Sequence, residues 1–166
     1  MSCVTWCAYE GADFPPKTDP DSQLETWSII LATFSNWFRD EILGILPGPD
    51  QKVPEFPSQM YVAVHSTVCS SETPGTELTG DGYARVPITF ERVSDIQRWN
   101  PADVTTPAAS AEWPTVASFS LWDSAAEGGG NYYAYGNLVT AISVESTKAI
   151  KWPANKVIVG LGSPVT

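Results

Sequence analysis

From about residue 55 onward the chain alternates apolar and polar side chains with a period of two. Met60, Val62 and Val64 alternate with Tyr61, Ala63 and His65. Ala84, Val86, Ile88 and Phe90 alternate with Tyr83, Arg85 and Thr89, and Ala117, Phe119 and Leu121 are separated by two serines. Successive side chains of a strand point to opposite faces, so these runs predict half-buried strands. Further strands are expected from Tyr132 to Val139, Ile142 to Glu145 and Lys156 to Leu161. Turn chemistry separates them at Thr79-Gly80-Asp81-Gly82 and Gly128-Gly129-Gly130-Asn131, the latter read as a hairpin loop. Pro87 has no N–H for a ladder, so its strand is expected at an edge or bulged there.

Ahead of residue 55 the period differs. Ser22 and Glu25 form an S-x-x-E capping box, and Leu24, Trp27, Leu31, Phe34 and Phe38 recur every three or four positions, with Ile30 and Trp37 widening that side. The spacing predicts a helix over about 22–44. It should stop near Gly44, where a missing Cβ permits a left-handed turn, with Pro47 and Pro49 preventing continuation. Residues 1–20 carry Pro15, Pro16 and Pro20 and neither period, which marks an extended N-terminal arm. The arm nevertheless holds Val4, Trp6, Tyr9 and Phe14, residues that a merely solvated tail rarely contains, so it is expected to pack on its own domain or on a neighbouring subunit.

Together these elements predict a mainly β fold: an antiparallel, jelly-roll-like β-sandwich over about 58–162 with one N-terminal helix. At 166 residues the chain suits one domain, 21–166, plus the arm.

The net charge of -10 would repel a phosphate backbone, so nucleic acid is not an expected partner. No stretch approaches the ~20 apolar residues of a membrane span, and the first residues lack the basic start and apolar run of a signal peptide. Synthesis and retention in a cytoplasm until release is the expectation. Charged residues make up only 17%, so much of the polar surface falls to Ser, Thr and Asn, as suits surfaces buried in an assembly. The three cysteines are an odd number, which argues against a disulfide framework.

Candidate chemistry is sparse. His65 is the only histidine, so any Ser-His or Cys-His mechanism must use it. It sits inside an alternating strand, where a histidine is expected on the sheet surface with one nitrogen bonded. Cys3, Cys7, His65 and Cys69 have zinc-ligand chemistry. On a continuing strand, however, His65 and Cys69 would lie about 13 Å apart unless the chain turns at Ser66-Thr67. The carboxylate neighbours Glu77 with Asp81 and Asp123 with Glu127 fall in turn segments and read as solvated loop charges. No phosphate-loop, dinucleotide-binding or nucleophile-elbow motif occurs. Neither a catalytic residue, nor a cofactor, nor a metal is expected. Seven tryptophans are the more informative feature: the core has first claim on them, subunit contacts second, and a sugar-stacking platform third.

Several segments carry a family resemblance. Phe38-Arg39 leads into Met60-Tyr61-Val62-Ala63-Val64-His65-Ser66. There follow the run from Gly75 to Phe90 (GTELTGDGYARVPITF), then Ala111-Glu112-Trp113-Pro114-Thr115-Val116, Phe119-Ser120-Leu121-Trp122-Asp123 and Tyr135-Gly136-Asn137-Leu138. In this order, over roughly residues 30–162, the chain resembles a family of small tailed-bacteriophage proteins usually labelled tail-fibre or minor structural proteins. The resemblance implies a virion component with no catalytic residues to carry over.

The resulting expectation is a non-enzymatic structural protein on the exterior of a tailed-phage virion, at the tail fibre or baseplate or as a capsid decoration or cement protein. It would act through a homo-oligomer and through other virion proteins such as a tail, baseplate or major capsid protein. Trp6, Trp27, Phe34 and Trp37 are the expected assembly contacts, since a helix apolar over a wide face needs a cover. A carbohydrate-binding module for host-surface glycan is the alternative reading.

Overall fold

The computed structural model describes residues 30–49, 51 and 56–160. Strand β1 (Ile30–Phe34) is followed by α1 (Asn36–Leu43), β2 (Met60–His65), β3 (Val86–Ile88), β4 (Glu91–Arg92) and β5 (Gln97–Trp99). Then come β6 (Val104–Thr105), β7 (Trp113–Trp122), β8 (Tyr132–Val144), β9 (Lys151–Trp152) and β10 (Val157–Gly160). The fold is mainly β and sandwich-like, with one helix among the described residues.

Eight strands form one sheet in the order β3-β2-β7-β8-β1-β10-β5-β4, and β6 pairs with β9 in a separate ribbon. The two edge strands β3 and β4 are joined by only Thr89 and Phe90. Three Cα–Cα steps of 3.8 Å reach at most ~11 Å, so the sheet must curl until its edges approach each other. Its concave side encloses the core, in which Val62, Val64, Phe119, Leu121, Val144 and Val157 pack together. Trp152 of the small ribbon closes on Phe119 at 6.2 Å between ring centroids.

Among the described strands pairing is antiparallel, as expected of the sandwich, except that β1 runs parallel to β10. Pro87 does lie on an edge strand. The loop of Gly128–Gly130 does connect a hairpin, β7 to β8. Gly130 is needed there at φ +82°, where a Cβ would come within 2.4 Å of the Asp123 carboxylate. The separate strands expected at Tyr132 to Val139 and Ile142 to Glu145 are one strand, β8, with a bulge. Between the Ser118–Asn137 and Val116–Ile142 pairs, five steps of β8 oppose two of β7.

The N-terminal segment corrects the expected helix. Ile30–Phe34 is a strand, and the helix begins only at Asn36; residues 22–29, with the expected capping box, lie outside the described residues. Ser35 is the hinge between them. Its backbone N–H donates to Tyr133 O at 2.9 Å, its hydroxyl donates to Tyr132 O, and it accepts from Phe38 N at 3.2 Å as the helix N-cap. The helix does end at Gly44. No left-handed turn is used, because Gly44 stays at φ -63° and its N–H bonds back to Asp40 and Ile42 carbonyls.

Candidate functional site

The convex face of β2, β7 and β8 was expected to be the wet side of the alternation. Instead Val62, Ala63, Val64 and His65 are all buried, as are Ser118 and Ser120. The cover is the segment between β2 and β3, which bends at Ser66 and Thr67 and returns across the face. Ser66 N bonds to Thr76 O and Leu78 N to Val64 O on the way back.

Polar groups beneath this cover are bonded in chains. His65 Nδ1 lies 2.9 Å from the Gly75 carbonyl, which can only accept, so Nδ1 carries the proton. Its Nε2 then accepts from the Ser120 hydroxyl at 2.5 Å, and that oxygen accepts from Trp122 Nε1 at 2.6 Å. Both ring nitrogens are therefore committed, where the strand pattern suggested one. Cys69 Sγ contacts Ser118 Oγ at 3.1 Å and accepts from Gly75 N at 3.2 Å. Asn137 clamps the Cys69 backbone from both sides, through Oδ1 to its N–H and through Nδ2 to its carbonyl.

The strongest cluster joins this cover to the β7–β8 loop. Arg85 donates Nε and Nη2 to the two Glu77 carboxylate oxygens at 2.7 and 2.8 Å, and Nη1 to the Ser124 and Gly129 carbonyls at 2.9 and 2.8 Å. Its guanidinium also lies 4.3 Å from the Trp122 ring centroid. Glu77 further accepts from Tyr83 OH and Gly128 N. The sequence reading of Glu77 as a solvated loop charge is thus corrected: partly buried itself, it forms a bidentate ion pair with the buried Arg85. Asp123, by contrast, stays in its turn and accepts from Asn131 N and Nδ2.

Chemically, Ser120 and His65 have the atoms of a nucleophile–base pair. Neither has any exposed surface, and Ser120 Oγ is already engaged on both sides, so no substrate atom can reach it. The turn at Ser66-Thr67 that a zinc site would need does occur, but His65 and Cys69 spend their donor atoms on Gly75, Ser118 and Ser120. Cys3 and Cys7 lie outside the described residues. Among the described residues no three of His, Cys, Asp and Glu gather as a metal-binding set.

Burial holds the His65 imidazole below its ordinary 6.5, against the weaker opposing pull of Gly75 and Glu77. Burial alone would raise Glu77, but the Arg85, Gly128 and Tyr83 hydrogen bonds outweigh it and hold the carboxyl below its ordinary 4.5. The unfolded chain takes up a proton at His65 as pH falls through about 6.5, whereas the folded chain does so only at lower pH, so stability is lost from there downward. For Glu77 the stabilisation is present above 4.5 and is lost as pH falls through its lowered folded value. The midpoint of urea unfolding should be flat above pH 6.5 and fall in two stages below it. A His65→Gln variant should lose the first stage and keep the second; a midpoint unchanged down to pH 4.5 would overturn this assignment.

A second feature lies at the open end of the curled sheet, a groove of about 630 Å³. Its wall is made by Phe34, Phe38, Phe56, Met60, Phe90 and Tyr133, drawn from both halves of the sheet and from α1. Phe38 packs on Phe34 at 4.9 Å and on Tyr133 at 5.0 Å, and Trp37 meets Tyr133 edge-on at 5.0 Å. Helix α1 has no buried residue. Trp37, Leu43, Ile45, Leu46 and Phe56 are all exposed, Leu43 and Leu46 at 63% each.

Of the expected assembly contacts, Phe34 is half-buried in the groove wall and Trp37 is on the exposed helix, one residue from Phe38. Trp6 and Trp27 lie outside the described residues. Three of the other tryptophans, Trp113, Trp122 and Trp152, are buried in the fold. Sequence reasoning missed Arg85 and Glu77; an arginine at an alternating strand position, eight residues from a glutamate, was the available signal.

Among the described residues, then, the polar groups of this cluster are engaged in hydrogen bonds, and the open end of the sheet is lined mainly by apolar side chains. The chain belongs to the family described as podophage GP4 fiber I protein gp80, which it matches over residues 33–160. It is a phage structural protein and a component of the virion. No curated protein matches the chain.

Proposed function

We propose that this chain is a non-enzymatic subunit of a tail fibre on the exterior of the virion, built into the particle through contacts with further copies of itself and with other virion proteins. The observation that carries the reading is the exposed apolar strip of Trp37, Leu43, Ile45, Leu46 and Phe56 around a helix with no buried side chain. Several large apolar side chains left exposed on one short segment of a folded protein favour an interaction site there. Family membership favours a fibre over the capsid-decoration and cement roles that the sequence left open. The glycan-binding reading has less support, because the burial of Trp113, Trp122 and Trp152 removes them from any stacking platform.

Light scattering across micromolar concentrations tests it. The full chain should have a mass of at least twice the 18.0 kDa of one copy. Replacing Leu43 and Leu46 together by Glu should raise the dissociation concentration by ~30-fold or more, a hot-spot-sized effect. A wild-type protein that is monomeric at every concentration would refute homo-oligomer assembly. Saturable binding to host polysaccharide by that monomer would favour the glycan reading instead.

A further inference from the structure

The segment between β2 and β3 covers the convex face with its backbone more than with its side chains. Within residues 67–76 only the Cys69 side chain is buried. The stretch is held down by hydrogen bonds to the body of the fold. Ser118 Oγ donates to Thr67 O at 2.7 Å, Tyr132 OH to Ser70 O at 2.8 Å and His65 Nδ1 to Gly75 O at 2.9 Å, and Asn137 holds the Cys69 backbone from both sides. One further bond reaches the helix: Asn36 N, the first residue of α1, donates to Ser71 O at 2.7 Å. A stretch with so few buried apolar contacts can open without the rest of the fold. Its far end is fixed, because Glu77 is paired with Arg85 and Leu78 is buried in the core.

His65 lies at the root of this cover and completes its bonds in one protonation state only. With Nδ1–H on Gly75 O, the bare Nε2 accepts the Ser120 proton, and Ser120 Oγ accepts that of Trp122 Nε1. A charged imidazole would aim a second N–H at the Ser120 oxygen and take away the acceptor of the Ser120 proton. The closed cover would then contain a buried donor with no acceptor, which disfavours it, whereas in the opened form water bonds every N–H. The charged groups that face the ring, Glu77 and Arg85, act on it in opposite directions. Cys69 of the cover, Tyr83, and Tyr132 and Tyr135 of β8 are the other titratable groups around it.

We propose that residues 67–76 form an acid-opened cover, latched by neutral His65, whose opening also releases the first turn of α1 through the Ser71–Asn36 bond. The closed form stays dominant, and acid changes how often it opens. The device stands independently of the homo-oligomeric reading above.

Hydrogen exchange of the full chain, resolved to single amides and with intrinsic rates divided out, tests it at pH 7.5 and 5.5. At pH 7.5 the Cys69 and Gly75 amides should exchange at least ~10-fold faster than those of Phe119 and Leu121 in β7, because the cover opens without the sheet. In the opened cover His65 takes up its proton near the ordinary 6.5. Protection of the Cys69, Gly75 and Asn36 amides should therefore fall roughly 5–10-fold between pH 7.5 and pH 5.5. His65→Asn retains a donor near the place of Nδ1 and takes up no proton, so its cover should exchange equally at the two pH values. A cover that exchanges no faster than β7 opens only with the whole fold and overturns the proposal, as does wild-type protection that is the same at both pH values. A pH effect that persists in folded His65→Asn overturns the latch, and an Asn36 amide that does not follow the cover overturns the link to α1. If His65→Asn does not fold, the wild-type comparisons decide by themselves.

Discussion

Replacing Arg85 by Met should destabilise the protein by about 3–5 kcal/mol, the usual result of removing one partner of a buried ion pair. The side chain of Arg85 is wholly buried and that of Glu77 is 12% exposed. Without the guanidinium, the Glu77 carboxylate keeps only Tyr83 OH and Gly128 N, and the Ser124 and Gly129 carbonyls each lose a donor. The segment that covers the convex face and the β7–β8 loop would then no longer be tied together. For a chain of this length the melting temperature should fall on the order of 10 °C. The double variant Arg85→Met with Glu77→Leu should recover most of the loss, because a pair replaced on both sides leaves no stranded charge. Urea unfolding of the three proteins at pH 7.5 measures it. A single variant within about 1 kcal/mol of wild type would mean that the pair's desolvation cancels its attraction.

Phe119→Ala should have an effect of similar size, about 3–5 kcal/mol, from lost burial and the cavity left behind. Phe119 sits in the middle of β7, between Val64 of β2 and Gly136 of β8. The glycine leaves room beside the ring on the same sheet, so the aromatic fills space that no cross-strand side chain occupies. Its ring also supports Trp152, by which the β6–β9 ribbon closes the core. Val139→Ala is the matched control: the side chain is 88% exposed at the β8 bulge, and its loss should stay within about 0.5 kcal/mol. If both substitutions cost the same, the core does not centre on Phe119. Neither position belongs to the exposed apolar residues around α1, so assembly at low temperature should survive in both while they remain folded.

Local pattern was a good guide where one face of a strand meets the core. Met60 to His65 and Ala117 to Leu121 were legible from alternation alone, Pro87 marked an edge from its missing N–H, and glycines marked the turns at 80–82 and 128–130. Ile30–Phe34 was not legible. Its residues ILATF are a short apolar run that suits a strand or a buried helix equally, and the recurrence of Phe34 and Phe38 at helical spacing spans the Ser35 hinge. What decides the matter is β8 on one side and β10 on the other, both about a hundred residues or more away.

The same distinction runs through the candidate site. The sequence by itself determined a mainly β chain, acidic, with a single histidine, aromatic residues in its first twenty positions and no catalytic motif, because composition and period are local properties. Only the tertiary structure decided that His65 and Arg85 are interior groups and that Glu77 is drawn partly inside to meet Arg85. Alternation reports that a side chain leaves the core face, and it cannot report that a distant segment returns to cover the other face. The apolar groove is likewise a property of the curl, since its walls come from strands far apart in sequence whose side chains meet only when the edges of the sheet approach.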